Sequence, residues 1–104
     1  MILELKIPDS IKLDSRTTVE FRAFLQAMVN RKCQGALRYG DRPVARQRYM
    51  SRLGKELKAY KQSGNAEQLF NIAVYAFLES AAPENKKIHW DAAVESVTRE
   101  EFGV

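Results

Sequence analysis

The sequence predicts an all-α fold: a small helical bundle of about four helices with a short extended N-terminal segment. Three observations carry this. Apolar residues recur at helical spacing through most of the chain. Gly40 and Gly64 stand where the first two of these patterns stop. Only residues 2–7, ILELKI, alternate with the period of a strand, and a single strand cannot make a sheet.

The extended segment ends near Pro8, placed either to lie along the helices or to pair with a second chain. The first helix is expected from about Thr18 to about Arg38. Thr17-Thr18-Val19-Glu20 has the form of a capping box, with Thr17 as the cap and Glu20 reaching back. Phe21, Phe24, Leu25, Met28, Val29 and Ala36 share one arc of that helix. Pro43 suits the first position of a second helix, with Asp41 or Arg42 near its cap. On it Tyr49, Met50, Leu53, Leu57 and Tyr60 line one face, opposite Arg48, Arg52, Lys55 and Lys58. Gly54 in its interior costs about 1 kcal/mol, which close packing would explain.

Asn65 is expected to cap the third helix, with Gln68 in the reciprocal position. From Leu69 to Leu78 this helix is apolar nearly all round, so it should be the most buried, and Ala81-Ala82-Pro83 ends it. A last amphipathic piece, roughly Trp90 to Phe102, presents Trp90, Val94 and Val97 as its apolar stripe. The 104 residues suffice for one domain, 1–104, and not for two.

Charge is distributed unevenly. The chain carries a formal +4, yet residues 31–61 alone carry ten bases against two acids, and residues 62–104 are net acidic. An excess of this kind calls for an anionic partner. No apolar run approaches the roughly 18 residues of a membrane span, and the N-terminus lacks the basic and apolar regions of a signal peptide. One cysteine, Cys33, and one histidine, His89, leave no disulfide and no cysteine-based zinc site. The expected setting is the cytoplasm, away from any membrane.

Two bases interrupt the apolar arcs. Lys32 lies between Met28 and Ala36, and Arg46 lies level with Leu53 and Leu57. Each must snorkel to solvent, meet a carboxylate, or face a cavity that receives an anion. Arg38 and Arg42 are close in sequence, and Lys and Arg at one turn could hold phosphate directly. Inside the third helix Glu67 and Asn71 are four apart on one face. Glu67 suits the positive end of the helix dipole, while a buried Asn71 amide needs partners. Cys33 reads as packing, and His89 has no partners at catalytic spacing.

Three runs taken together, Leu37-Arg38-Tyr39-Gly40-Asp41, Leu53-Gly54-Lys55-Glu56-Leu57-Lys58-Ala59-Tyr60, and Ser63 through Ala76, resemble the MazG-like all-α nucleoside triphosphate pyrophosphohydrolases. The nearest likeness is to the short forms carried by phages and prophages. The resemblance implies dimers or tetramers and a Mg²⁺ held by paired carboxylates, Glu-x-x-Glu on one helix and Glu-x-x-Asp on the next. Here Glu56 matches the first glutamate and Ala59 stands where the second is expected. Glu67 is present, and Asn71 replaces the aspartate. Two of four anionic ligands remain, which weakens Mg²⁺ binding and removes a base for water.

The resulting expectation is a non-catalytic nucleotide-binding protein without a cofactor, plausibly a phage-encoded anti-defence sponge for a nucleotide immune signal in the host cytoplasm. Its ligand contacts would come from Lys32, Arg38, Tyr39, Arg42, Arg46, Asn71 and Tyr75. One alternative is a divergent Mg²⁺-dependent pyrophosphohydrolase in which Glu56 and Glu67 bind metal and act in catalysis, with Glu79 or Asp91 as further ligands. Another is a nucleic-acid or host-protein interaction module using the basic face Arg48, Arg52, Lys55 and Lys58. An apolar third helix in so small a chain also predicts a homo-oligomer.

Overall fold

A computed structural model describes residues 4–41, with Tyr39 by its backbone alone, and residues 48–91. Within them the chain forms α1 (Ser15–Tyr39), α2 (Tyr49–Ser63) and α3 (Glu67–Ala81), with no strand among the described residues. Residues 4–14 form no helix or strand, and turn at Pro8, whose carbonyl accepts from the Ile11 N–H at 3.0 Å. The expected fourth helix lies largely in 92–104, outside the described residues. Its expected first residues, Trp90 and Asp91, are not helical.

The caps differ from the expected ones in instructive ways. Asp14, rather than Thr17, caps α1: its Oδ1 accepts from the Arg16 N–H at 2.7 Å. Aspartate is the stronger cap, and it is available three residues earlier, so the helix starts there. Glu20 is thereby released from capping and pairs along the surface with Arg16 at 2.9 Å. At the other end Gly40 adopts φ 86°, a value that L side chains rarely take, and its N–H closes on the Ala36 carbonyl at 2.8 Å.

The second helix begins at Tyr49, six residues after Pro43. Arg48 has φ −81° and ψ 76° and donates no side-chain cap, and residues 42–47 lie outside the described residues. Its first turn has no acid of its own while Arg52 stands in it, an arrangement that opposes the helix dipole. The missing anion comes from elsewhere, since Glu84 Oε1 lies 3.4 Å from the Tyr49 N–H. Gly64 ends α2 in the left-handed region, φ 69° and ψ 14°, as expected of it.

The N-cap of α3 is Ala66, which offers no side-chain cap, rather than Asn65; one residue further out, Asn65 Oδ1 accepts from the Glu67 N–H at 3.0 Å. The reciprocal half runs through a third residue. Ser63 Oγ donates to Gln68 Oε1 at 2.6 Å and accepts from the Asn65 N–H at 3.1 Å. This knot fixes α2 and α3 as an antiparallel hairpin across a three-residue turn.

The third helix is the centre of the fold. Both α1 and α2 pack on it and not on each other. It carries the two buried residues among those described, Val74 and Glu79. Phe24 of α1 meets Phe70 edge to face, with ring centroids 5.3 Å apart. The half-buried stripe of α2 is Tyr49, Leu53, Glu56, Ala59 and Tyr60, so Met50 and Leu57, expected on the apolar face, sit at its rim and are exposed. Phe21 and Phe24 are likewise exposed rather than covered, because α3 touches only one flank of the arc they share. Gly54 is exposed and a Cβ there would meet nothing within 4 Å, so close packing is not its reason within this chain.

Candidate functional site

The α1 and α2 helices flank α3 without touching, and Asn71 occupies the strip of α3 between them. The contacts of its neighbours on α3 place it there. Glu67 and Phe70 face α1, and Gln68 meets α2. Asn71 is four residues on from Glu67 and three on from Gln68, hence on the arc between those two lines. Its Oδ1 is buried and has no hydrogen-bond partner among the described residues. An orphaned acceptor of this kind is expensive, which makes Asn71 the most informative side chain of the site. Tyr75 follows one turn later and is half-buried.

Glu56 approaches from α2. Counting equal steps away from the Ser63–Gln68 contact puts Glu56 level with Tyr75, one helical turn beyond Asn71. It is half-buried, and its carboxylate makes no hydrogen bond or ion pair with a described residue. Glu67 is elsewhere: by the same count it is about 12 Å from Glu56 along the hairpin axis. Its carboxylate is 60% exposed and faces Arg31 of α1 at 3.9 Å. These two carboxylates therefore do not converge, and the neighbouring positions are Ala59 and Asn71. No three Asp, Glu, His or Cys side chains among the described residues come together as a metal site would require. The residues present do not fit an octahedral Mg²⁺, which takes oxygen ligands at about 2.0–2.1 Å.

Of the cations expected to meet phosphate, Lys32 resolves its own placement within the apolar arc by meeting a carboxylate. Its Nζ lies 2.8 Å from Asp41 Oδ1 and 3.1 Å from the Asp41 carbonyl, with the side chain 24% exposed. The pair ties the last turns of α1 to the turn after it. Arg38 is exposed on α1 and already engaged. Arg42 and Arg46 lie outside the described residues, and of Tyr39 only the backbone is described. Counting along the hairpin thus puts Asn71, Tyr75 and Glu56 at neighbouring levels of α3 and α2. Lys32 and Arg38 are at the far end of α1, on the side of the α1–α2 connection.

A second constellation was not legible as such in the sequence. Glu79, which the sequence offered only as a spare metal ligand, is buried and accepts from the Glu84 N–H at 2.9 and 3.2 Å and from the Asn85 N–H at 3.1 Å. It binds its own backbone loop, and that loop carries Glu84 to the N-terminus of α2. The signal was a lone acid at the end of an apolar helix followed by Pro83, a place where a carboxylate can cap the returning chain. His89 uses Nδ1 locally, 2.9 Å from the Lys87 carbonyl, and Cys33 is exposed rather than packed.

No helix among the described residues is long and apolar enough to cross a membrane. Comparison with known proteins finds no matching family model, no matching curated protein and no matching solved structure.

Proposed function

We propose that this protein binds a nucleotide or nucleotide-derived small molecule without hydrolysing it, in the channel between α1 and α2 over Asn71. The observation that carries the reading is the buried, unpartnered Asn71 Oδ1. An amide oxygen accepts, so it calls for an N–H or O–H donor: the amino or imino edge of a base, and not a phosphate oxygen. Tyr75, one turn on, offers a ring for the face of that base, and the half-buried Glu56 offers a second acceptor. The phosphates would then lie toward the cationic end of α1, where Lys32 and Arg38 stand and Arg42 and Arg46 follow in sequence. This ordering resembles the MazG-like arrangement with the metal removed. A protein of this kind encoded by a phage would sequester a nucleotide immune signal in the host cytoplasm. A second copy of the chain would cover apolar side chains that the fold leaves exposed, among them Phe77 at 48% exposure.

The experiment is titration calorimetry in EDTA with mono-, di- and cyclic nucleotides, on wild type and on Asn71→Leu. Binding by wild type and its loss in the variant is the expected result. No heat with any nucleotide at millimolar concentration refutes the reading. Mg²⁺-dependent release of pyrophosphate that disappears in Glu56→Gln would replace it with the hydrolytic alternative. Sedimentation velocity reports the oligomer.

A further inference from the structure

A winding row of five exposed cations covers the outward half of α2: Arg48 at its N-cap, then Arg52, Lys55, Lys58 and Lys61. None of them is in an ion pair or side-chain hydrogen bond with a described residue. The only acid of α2, Glu56, belongs to the half-buried stripe that packs on α3. We propose that this face is a docking surface for the phosphate backbone of nucleic acid, separate from the channel over Asn71.

Four features favour that partner. First, the row is tolerated against its own electrostatics. Its members are three or four residues apart, the spacing at which like charges on a helix repel, and two of them lie at the positive end of the helix dipole. Second, the row is long, although it winds about 180° around the helix between Arg52 and Lys61. From Arg48 to Lys61 it spans about 20 Å at 1.5 Å per residue, and one strand of a duplex presents about six phosphates over that length. Third, the positions between the cations are Ser51, Gly54 and Gln62, exposed and free of bulk, and Gly54 has open space where a Cβ would be. A helix interior keeps such a glycine at a cost unless something must come close, and a sugar-phosphate backbone is such a thing. Fourth, the outermost line of the face has no apolar anchor. Met50 and Leu57 lie at its rim next to α3, whereas a helix that settles on a lipid surface places its apolar residues opposite its cations and free to insert. The apolar stripe of α2 is already committed to α3.

The test is fluorescence anisotropy of the full chain with a labelled 20-base-pair duplex and a 20-nucleotide single strand, between 50 and 200 mM salt. If all five cations engage, log K falls with log salt at a slope near −4.5 for duplex, or near −3.5 for single strand. In Lys55→Gln/Lys58→Gln the duplex slope should flatten by about 1.8, with affinity at 0.1 M salt down roughly sixtyfold. Lys86→Gln/Lys87→Gln, exposed but off the row, should bind as wild type does. Glutamine keeps helix propensity, and far-ultraviolet circular dichroism checks that the fold is retained. The proposal is overturned by no binding at 50 mM salt, by an unchanged slope in the α2 variant, or by an equal loss in the control. Binding to phosphatidylserine vesicles with none to either nucleic acid overturns it as well.

Discussion

Replacing Glu79 by alanine should loosen the loop after α3 and, through it, the start of α2. The carboxylate is the one buried charged side chain among the described residues, and it accepts from two backbone donors, Glu84 N–H and Asn85 N–H. A hydrogen bond to a charged acceptor contributes about 1.5–3 kcal/mol, and a donor left without its acceptor loses much of that. Two offsets reduce the total. Glu84 and Asn85 are otherwise exposed, so water can replace part of what is lost, and removing a buried carboxylate also removes its desolvation cost. The expected net loss is about 2 kcal/mol, with Glu79→Gln losing about half as much because its amide oxygen still accepts. Urea unfolding followed by circular dichroism reads the loss as a lower midpoint at unchanged slope. Amide exchange should accelerate at Glu84 and Asn85 before it does in α3. A double-mutant cycle completes the argument. Glu84→Ala should cost about 0.5 kcal/mol in the wild type, since its contact with Tyr49 is long at 3.4 Å, and almost nothing after Glu79→Ala. If Glu79→Ala stays within about 0.5 kcal/mol of wild type, or the two substitutions add, then Glu79 does not hold the loop and the reasoning fails.

Further expectations use the same logic. Gly54→Ala should raise stability by about 1 kcal/mol, read as a higher Tm, because the helix gains propensity and the new Cβ meets nothing within 4 Å. Gly64→Ala has the same open space and should lose about 1 kcal/mol, because φ 69° is strained for any residue with a Cβ. Asn71→Leu should hold or raise the urea midpoint, by up to about 1 kcal/mol, since it removes an unsatisfied buried oxygen; a clear loss of stability would assign Asn71 a structural role instead. Asp41→Asn should cost about 1 kcal/mol, and less at high salt, as Lys32 at 24% exposure loses its anion.

Much of the fold was legible from residue types alone. Gly40 and Gly64 are stops because only glycine enters positive φ without strain, and Asn65 leads into α3 because its short side chain reaches the Glu67 N–H, although Ala66 is the N-cap; neither depends on distant contacts. Misplacements occurred where local signals competed. Thr17 and Asp14 both qualify as caps, and the choice between them follows from relative acceptor strength. Pro43, expected to open the second helix, lies outside the described residues, among which α2 begins at Tyr49. The run of cations before Tyr49 opposes a helix beginning there, and the structure needs an acid from 35 residues away to relieve it. For the candidate site the sequence singled out Asn71 as a polar residue in an apolar helix, and Lys32 as a base in an apolar arc. It could not distinguish their outcomes. Lys32 has a flexible stem and found Asp41 within reach, while Asn71 is short and sits between two helices that do not meet.

Periodicity, caps and charge determined that this is an all-α chain whose third helix is the most apolar and whose cations cluster between residues 31 and 61. These are properties of neighbours in sequence, written in side-chain spacing and backbone preference. Tertiary structure decided which of them carry meaning. Packing on both sides of α3 turned Asn71 from a polar interruption into an orphaned acceptor. The same packing consumed the apolar stripe of α2 and left the cations of Arg48 to Lys61 on its outward half. The Glu79 loop, meaningless as a string, became the link between the end of α3 and the start of α2. Each of these depends on where a helix lies against its neighbours, and burial of that kind is a property of the assembled fold, with no counterpart in any local stretch of sequence.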